Sequence, residues 1–365
     1  MDTLRVVVCG TTFGRIYAAG VRALPDKYEL VAMMSRGSAQ SRRFAAEVGV
    51  PLCTSIDELP KVDLACVVVR SGIIGGAGSQ IAQQLLAVGK HVLMEHPIHR
   101  DDAVACYREA ARARTSFWLN TFYRHSSTIK QYLRMVDVLR ERYGILHLEA
   151  ECSIHFLYSM LDMIGRITGG FTPWHLNDRA EDLGVFTTVT GSVRNTPLRL
   201  QVVNRMNPEA PDDFVHLGHR ITVFTPGGNL VLTESDGPII WHPNAAGPRD
   251  EAGVLEVDAD ESLSSFRLHE SLAVEPEVTR RIQYERIWPA AIAECLDVIY
   301  DELNDPGYRA HEAEYLLALC SIWTRVGQLI GPSRAFGAEL SSTHLDLAQL
   351  TRQLRSLEGV THIRR

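Results

Sequence analysis

A chain of 365 residues exceeds the roughly 250–300 at which a single hydrophobic core stops growing, so two domains are expected. With 45% hydrophobic and 22% charged residues and no repeat or low-complexity tract, the composition excludes a disordered chain or a solenoid. A formal charge of −7, carried without a cluster of Lys and Arg, argues against a nucleic-acid partner, whose binding needs concentrated cations to release counterions.

The first residues lead into a short apolar run ending at Gly10, too short for a secretory signal, and no later stretch approaches membrane-spanning length. Leu4 to Cys9 is continuously apolar and β-branched, the pattern of a strand buried on both faces of a parallel sheet. Arg15 to Leu24 has helical periodicity and Tyr28 to Met34 reads as a second strand, which makes a βαβ unit. The alternation continues: helix Ala39 to Val48, strand Ala65 to Val69, helix Gln80 to Val88, strand His91 to Met94, helix Asp102 to Ala113, strand Phe117 to Asn120. Repeated βα units predict a doubly wound parallel sheet.

After about residue 125 the texture changes. A helix from Thr128 to Tyr143 leads into Ile145 to Ile154, and strand-like stretches follow at Leu183 to Thr190, Leu198 to Asn204, His219 to Phe224 and Leu230 to Thr233. Two helices, Trp288 to Leu303 and His311 to Leu329, come later. Strands without intervening helices imply a largely antiparallel second sheet. The expected fold is therefore α/β followed by α+β, with residues 1–123 as a Rossmann-type dinucleotide-binding domain. Residues 124–365 form an open-sheet substrate and dimerisation domain, whose last helices can pack back on the first.

The turn after the first strand is Gly10-Thr11-Thr12-Phe13-Gly14, which lacks the full G-x-G-x-x-G fingerprint. Its context carries the reading: it leaves a buried strand and opens a helix whose N-terminal amides can bind a pyrophosphate. At the end of the second strand, where NAD binders place a carboxylate, the sequence is Ser35-Arg36-Gly37-Ser38. A carboxylate there would repel a 2′-phosphate, whereas Arg36 can pair with one, so NADPH/NADP+ is the expected cofactor.

The strand at residue 92 ends Val92-Leu93-Met94-Glu95-His96-Pro97. Here the chain resembles the Gfo/Idh/MocA oxidoreductases, sugar and inositol dehydrogenases whose hallmark at this point is Glu-Lys-Pro; His96 stands where they carry the lysine. A narrower resemblance rests on Gly10 to Gly14 with Phe13 and Tyr17, on Gly37-Ser38-Ala39 with Ser41 and Arg42, and on Val68-Val69-Arg70-Ser71 followed by Gly75-Gly76-Ala77-Gly78. Glu95-His96-Pro97 and Asn120-Thr121-Phe122-Tyr123 complete it. These look like thiazolinyl imine reductases, which reduce one thiazoline to a thiazolidine in siderophores of the yersiniabactin and pyochelin type while the intermediate is tethered to a carrier protein. The likeness is dense from residue 5 to 130 and continues as islands at Leu157 to Asp162, His219-Arg220 and Gly237 to Trp241.

Reducing C=N needs a hydride at carbon and a proton at nitrogen, so the site needs one well-placed acid and no strong base. The resemblance makes His96 and Tyr123, both following strand ends, the proposed proton-delivery pair, and the sequence does not rank them. His96 can instead be a structural histidine beside Pro97, and Tyr123 an aromatic packed between domains. The cofactor set comprises Gly10, Thr12, Phe13, Gly14, Ser35, Arg36, Gly37, Ser38, Arg70, Ser71, Glu95 and His96, with Gly75, Gly76 and Gly78 permitting close backbone approach or forming a loop. Asn120, Tyr158, Asp162 and His219 are the expected substrate contacts.

No metal is expected, because no histidine carries a ligand spacing. Seven scattered cysteines, never spaced C-x-x-C, suit buried thiols in a cytoplasmic protein. A homodimer is expected through the open face of the second sheet. Two rival activities share this scaffold: a sugar or polyol dehydrogenase, and a non-catalytic NADP(H)-binding regulator.

Overall fold

The computed structural model describes residues 3–71, 76–207, 209, 215–244, 249–254, 267–275, 277–303, 306–335 and 348–354. The first sheet holds β1 (Leu4–Cys9), β2 (Tyr28–Met34), β3 (Leu52–Cys53), β4 (Leu64–Val67), β5 (His91–Glu95) and β6 (Phe117–Asn120). They are all parallel, in the order β3-β2-β1-β4-β5-β6. The helices α1 (Gly14–Arg22), α2 (Ala39–Glu47), α3 (Gly78–Ala87) and α4 (Arg100–Ala113) form the crossovers. Val6, Val7, Val8 and Cys9 are fully buried, as both-face coverage by helices demands of a parallel strand. Only β3, two residues long, escaped the sequence pattern, because it is too short to show one.

Beyond α5 (Ser127–Tyr143) the second sheet begins with β7 (His147–Ser153), after which α6 (Leu157–Thr168) crosses to β8 (Trp174–Leu176). The chain continues through β9 (Glu181–Leu183), β10 (Phe186–Val193), β11 (Thr196–Val203), β12 (Arg205–Met206), β13 (Arg220–Thr225), β14 (Gly228–Leu232), β15 (Ile239–Pro243) and β16 (Glu270–Leu272). The order is β16-β15-β14-β13-β7-β11-β10-β8, with β9 on β10. Every pair is antiparallel except β7 with β11, which the α6 crossover makes parallel. The stretch expected as one strand at Leu183 to Thr190 is two, joined through Gly184 at φ +65. Along β7, Leu148, Ala150 and Cys152 are buried while His147, Glu149 and Glu151 are partly exposed, so one face is covered and the other is open.

Two long helices close the chain, α7 (Trp288–Glu302), entered through a π-turn at Gln283–Ile287, and α8 (Pro306–Ile330); β17 (Arg334–Ala335) pairs with β12. Helix α7 packs on α1 so closely that a Cβ on Gly20 would lie 2.5 Å from Ile292 Cγ2, and Tyr28 donates to Leu296 O at 2.8 Å. Its apolar face, Ala291, Ile292, Cys295, Leu296 and Ile299, joins the core of the first sheet. Helix α8 packs instead against α6 and α4. All seven cysteines are buried and unpaired. Among the described residues no helix is long and apolar enough to cross a membrane, and no group of His, Cys, Asp or Glu is arranged to hold a metal ion.

Candidate active site

In an open parallel sheet ligands bind at the carboxyl ends of the strands, where the strand order reverses. Here the reversal falls between β1 and β4, and the residues singled out from the sequence gather at that edge. Gly10 leaves β1 at φ +105, and a Cβ on it would lie 2.4 Å from Val68 O, so the β1 and β4 turns touch only because the residue is glycine. Helix α1 follows with no side chain capping its amino end. In its first turn Arg15 N donates to Thr12 O at 3.5 Å and Ile16 N to Phe13 O at 3.0 Å, and no side chain competes for this amino end, the kind of helix end at which a pyrophosphate binds. Thr12 is exposed on this turn, while Phe13 packs edge-on against Phe122 and Trp288, at 5.5 Å from each ring.

At the end of β2, Ser35 Oγ accepts from Gly37 N at 3.2 Å, and Ser38 caps α2 by accepting from Ser41 N at 3.1 Å. Ser41 Oγ in turn meets Thr11 Oγ1 at 2.7 Å, tying this corner to the glycine turn. Gly37 at φ +80 offers its carbonyl to Arg42 Nε at 3.1 Å. Arg36 is exposed and makes no ion pair or hydrogen bond among the described residues. The corner holds a cation and hydroxyls where a carboxylate would serve a ribose diol, so the donor set fits a 2′-phosphate. Ser71 is largely buried and donates to Pro97 O at 3.2 Å. Gly75 lies outside the described residues.

The strands β5 and β6 end side by side at Glu95 and Asn120. His96 follows, joined to Pro97 by a cis peptide, and its amide donates to Asn120 O at 3.1 Å. Its Nδ1 lies 2.9 Å from Glu95 Oε1 and 3.1 Å from Asn120 O. Both neighbours are acceptors, so Nδ1 carries a hydrogen in either protonation state and Nε2 is the nitrogen that titrates. Tyr158 stacks on the imidazole at 5.5 Å and 25°, and its own hydroxyl is 3.1 Å from Cys320 Sγ. Burial would lower the imidazole pKa, but Glu95, the Asn120 carbonyl and the more distant Asp162 outweigh it, and the net direction is upward from 6.5.

Glu95, expected against the cofactor, has both oxygens engaged within the protein. Its Oε2 accepts from Tyr17 OH, and Asn120 Nδ2 donates to Tyr17 OH at 2.7 Å and reaches Glu95 Oε2 at 3.5 Å. Tyr17 is wholly buried, and burial followed by the Glu95 charge holds its phenol well above 10, so it stays a neutral donor. Asn120, expected on the substrate, spends its amide on this frame and its Oδ1 on Phe122 N at 2.8 Å.

Tyr123 is aimed by a γ-turn. Phe122 adopts φ 64 and ψ −70 while Tyr123 N donates to Thr121 O at 2.8 Å, a conformation that costs a non-glycine residue about 1–3 kcal/mol. The Tyr123 ring lies 4.6 Å from that of His219, and its hydroxyl makes no hydrogen bond among the described residues. Burial, then the charges of Asp236 and Glu95, push the phenol well above 10.

His219 was expected to touch substrate, yet it is 0% exposed and both ring nitrogens are taken, Nε2 by Ser159 Oγ at 2.8 Å and Nδ1 by Ser235 Oγ at 2.9 Å. Burial and the nearby His96 lower its pKa to about 3, so it is neutral and backs Tyr123. Asp162, another expected contact, is 1% exposed. Its Oδ2 accepts from Thr121 at 2.6 Å and its Oδ1 from Tyr315 at 2.7 Å and Arg166 at 3.3 Å. Arg166 continues to Glu312 at 2.7 Å, and Glu312 to Arg124 at 2.9 Å, locking α6 and α8 to the segment that carries Tyr123. Tyr17, Thr121 and Asp236 were not on the list drawn from the sequence. Tyr17 had a signal in its place one turn into α1 on the buried face, and Asp236 in the turn Ser235-Asp236-Gly237-Pro238.

Residues 4–121 match the model of the oxidoreductase family with an NAD-binding Rossmann fold, Gfo/Idh/MocA. Residues 146–242 match the model described as thiazolinyl imine reductase Irp3-like, C-terminal. No curated protein matches the sequence. Among solved structures the chain is similar to GenD2 from gentamicin A biosynthesis in complex with NAD, at 14% identity and TM-score 0.65, covering 92% of this chain and 96% of that one. It is also similar to UDP-N-acetylglucosamine 3-dehydrogenase GnnA from Acidithiobacillus ferrooxidans, at 16% identity and TM-score 0.63, over 90% of this chain and 98% of that one. A third is the apo scyllo-inositol dehydrogenase from Lactobacillus casei, at 16% identity and TM-score 0.62, over 90% and 96%. At these identities the likeness establishes the fold.

Proposed function

We propose, for a chain whose first domain belongs to the Gfo/Idh/MocA NAD-binding oxidoreductases, that it reduces a thiazoline C=N to a thiazolidine on a carrier-protein-bound siderophore intermediate, with NADPH as reductant. The observation that carries the reading is the His96 imidazole, fixed through Nδ1 by Glu95 and Asn120 and thereby leaving Nε2 as a proton donor where alcohol dehydrogenases of this fold need an amine base. The match of residues 146–242 to the imine-reductase model supports the substrate class.

The nicotinamide, when bound, supplies a hydride. The residues of this chain do the rest. Gly10 and the amino end of α1 receive the pyrophosphate, and Arg36 with Ser35 and Ser38 receives the 2′-phosphate. His96, with its pKa raised, is the better acid near neutrality, and Tyr123, with its pKa raised far from neutrality, serves as a hydrogen-bond donor to the substrate.

A sugar or polyol dehydrogenase would need a base at this edge. The chain has four lysines, Lys27, Lys61, Lys90 and Lys130. Lys27 pairs with Asp297 at 2.7 Å and Lys130 with Glu294 at 2.5 Å, while Lys61 and Lys90 precede β4 and β5 at the opposite edge. The test is consumption of NADPH with a synthetic 2-aryl-thiazolinyl-thiazoline against a panel of sugars. Turnover of the thiazoline alone is expected; turnover of sugars alone overturns the reading, and binding of NADPH without any turnover identifies a regulator.

A further inference from the structure

A phenol sunk in an apolar core costs free energy unless its hydroxyl is hydrogen-bonded. Tyr17 is such a residue. It stands one turn into α1, is 0% exposed, and joins the apolar cluster of Val6, Val8, Phe122, Ile292 and Leu296. Phenylalanine has the same ring, so what tyrosine adds at this position is the hydroxyl.

That hydroxyl has two partners, at the ends of two neighbouring strands. It donates to Glu95 Oε2 at the end of β5 and accepts from Asn120 Nδ2 at 2.7 Å at the end of β6. From each partner the contacts run on to one of the two groups proposed to face the substrate. Glu95 Oε1 lies 2.9 Å from His96 Nδ1, and Asn120 Oδ1 accepts from Phe122 N at 2.8 Å, inside the γ-turn that aims Tyr123. The two ends of the Asn120 amide move together, because the group is planar. If Nδ2 lost the phenol and turned to Glu95 Oε2, now 3.5 Å away, Oδ1 would swing off Phe122 N. One hydroxyl therefore holds both side chains in the orientations that His96 and Tyr123 depend on.

We infer that Tyr17 is the positioning residue of this site: from the helix proposed to receive the pyrophosphate, it holds His96 and Tyr123 in place relative to each other and to the cofactor. The inference rests on the imine-reductase reading for the roles of His96 and Tyr123 and adds the group that positions them. Tyr17 itself moves no proton, since burial and the Glu95 charge keep its phenol well above 10. The titratable groups facing His96 are Glu95 beside it, Asp162 and Tyr158 from α6, and His219 from the second sheet. Those facing the phenol are Glu95 and Cys295 of α7.

The test uses the full-length enzyme. With histidines labelled by 15N, the His96 signal, identified by its loss in His96→Asn, is titrated by NMR in the wild type, Tyr17→Phe and Glu95→Gln. A carboxylate that has lost its phenol donor holds the ring proton more firmly, so the midpoint should rise in Tyr17→Phe and fall in Glu95→Gln. In kinetics, Tyr17→Phe should lower kcat for thiazoline reduction about tenfold or more with the Kd for NADPH unchanged. Added to Glu95→Gln it should cost less than in the wild type, because both act through one contact. The other arm is read in Asn120→Leu, which keeps the backbone carbonyl on His96 and whose loss of kcat should shrink in a Tyr123→Phe background. A Tyr17→Phe enzyme with an unmoved His96 midpoint or wild-type kcat overturns the inference and leaves the imine-reductase reading standing, and independent effects of Asn120→Leu and Tyr123→Phe overturn the arm to Tyr123. If the wild type does not reduce the thiazoline, that reading falls, and the NMR titration still decides whether Tyr17 holds His96.

Discussion

Glu95 Oε1 stands 2.9 Å from His96 Nδ1, and the two side chains are 14% and 10% exposed, so a carboxylate and an imidazole share a nearly dry corner at the end of β5. That pairing fixes which nitrogen carries the permanent hydrogen and favours the charged ring.

The pH dependence follows. A histidine whose pKa is raised above 6.5 is a competent acid below that raised value and loses its proton as pH climbs through it. Thiazoline reduction should therefore hold past the pH at which an unperturbed imidazole would fail and then decline. Glu95→Gln should move the decline to lower pH; an unmoved profile would separate the carboxylate from the acid.

Replacing the acid is expected to act on chemistry and spare binding. His96→Asn should lower kcat by about a hundredfold or more with little change in the Kd for NADPH, the signature of a group used in the transition state. Tyr123→Phe should cost less, since its phenol is a poor acid at neutrality. The reverse ranking in steady-state kinetics would transfer the proton to Tyr123.

On the proposed reading, cofactor choice depends on the corner after β2. Arg36→Ala should reduce the preference for NADPH over NADH by about tenfold in kcat/KM, since the lost charge-assisted bonds are worth about 1.5–3 kcal/mol and this side chain is exposed. An unchanged ratio would remove Arg36 from the role.

Gly10→Ala should damage the same site for a steric reason. The φ of +105 and the 2.4 Å approach of a Cβ to Val68 O leave no room, so NADPH affinity and thermal stability should both fall. A variant that binds NADPH as the wild type does would show that the β1 and β4 turns can separate freely.

Stability is tied to the buried ion network. Glu312, 13% exposed, lies between Arg124 and Arg166, and Glu312→Gln should cost about 3 kcal/mol in urea unfolding by leaving two cations short of a partner. Burial opposes ionisation of Glu312, but the two arginines prevail and its pKa lies below 4.5. A depressed carboxylate stabilises above its unfolded value and ceases to as pH falls through the folded one. The difference between wild type and variant should accordingly shrink below about pH 4; a constant difference would assign the loss to packing.

The first sheet was legible because parallel strands covered on both faces are written as unbroken apolar runs, such as Val6 to Cys9 ending at Gly10. Around Tyr158 and Asp162, read from the sequence as helical, Ser159, Asp162 and Arg166 recur at helical spacing, although in the fold every residue of α6 except Arg166 is buried. Strands of two or three residues, β3, β8, β9 and β12, are too short to carry a pattern. At the site, Glu95, His96, Asn120 and Tyr123 could be found because strand ends punctuate the sequence. The pairing itself could not: Tyr17 meets Glu95 from 78 positions away. His219 looked available in sequence because nothing there shows that Ser159 and Ser235 occupy both its nitrogens.

The most direct test of the central claim is an isotope-transfer measurement with NADPH deuterated at carbon 4 of the nicotinamide and the synthetic thiazolinyl-thiazoline. Wild-type enzyme should yield a thiazolidine bearing deuterium on the former imine carbon and solvent hydrogen on nitrogen, and His96→Asn should form it far more slowly. Absence of any thiazolidine, or a thiazolidine without deuterium at that carbon, under conditions where the enzyme has bound the labelled cofactor, would contradict the account.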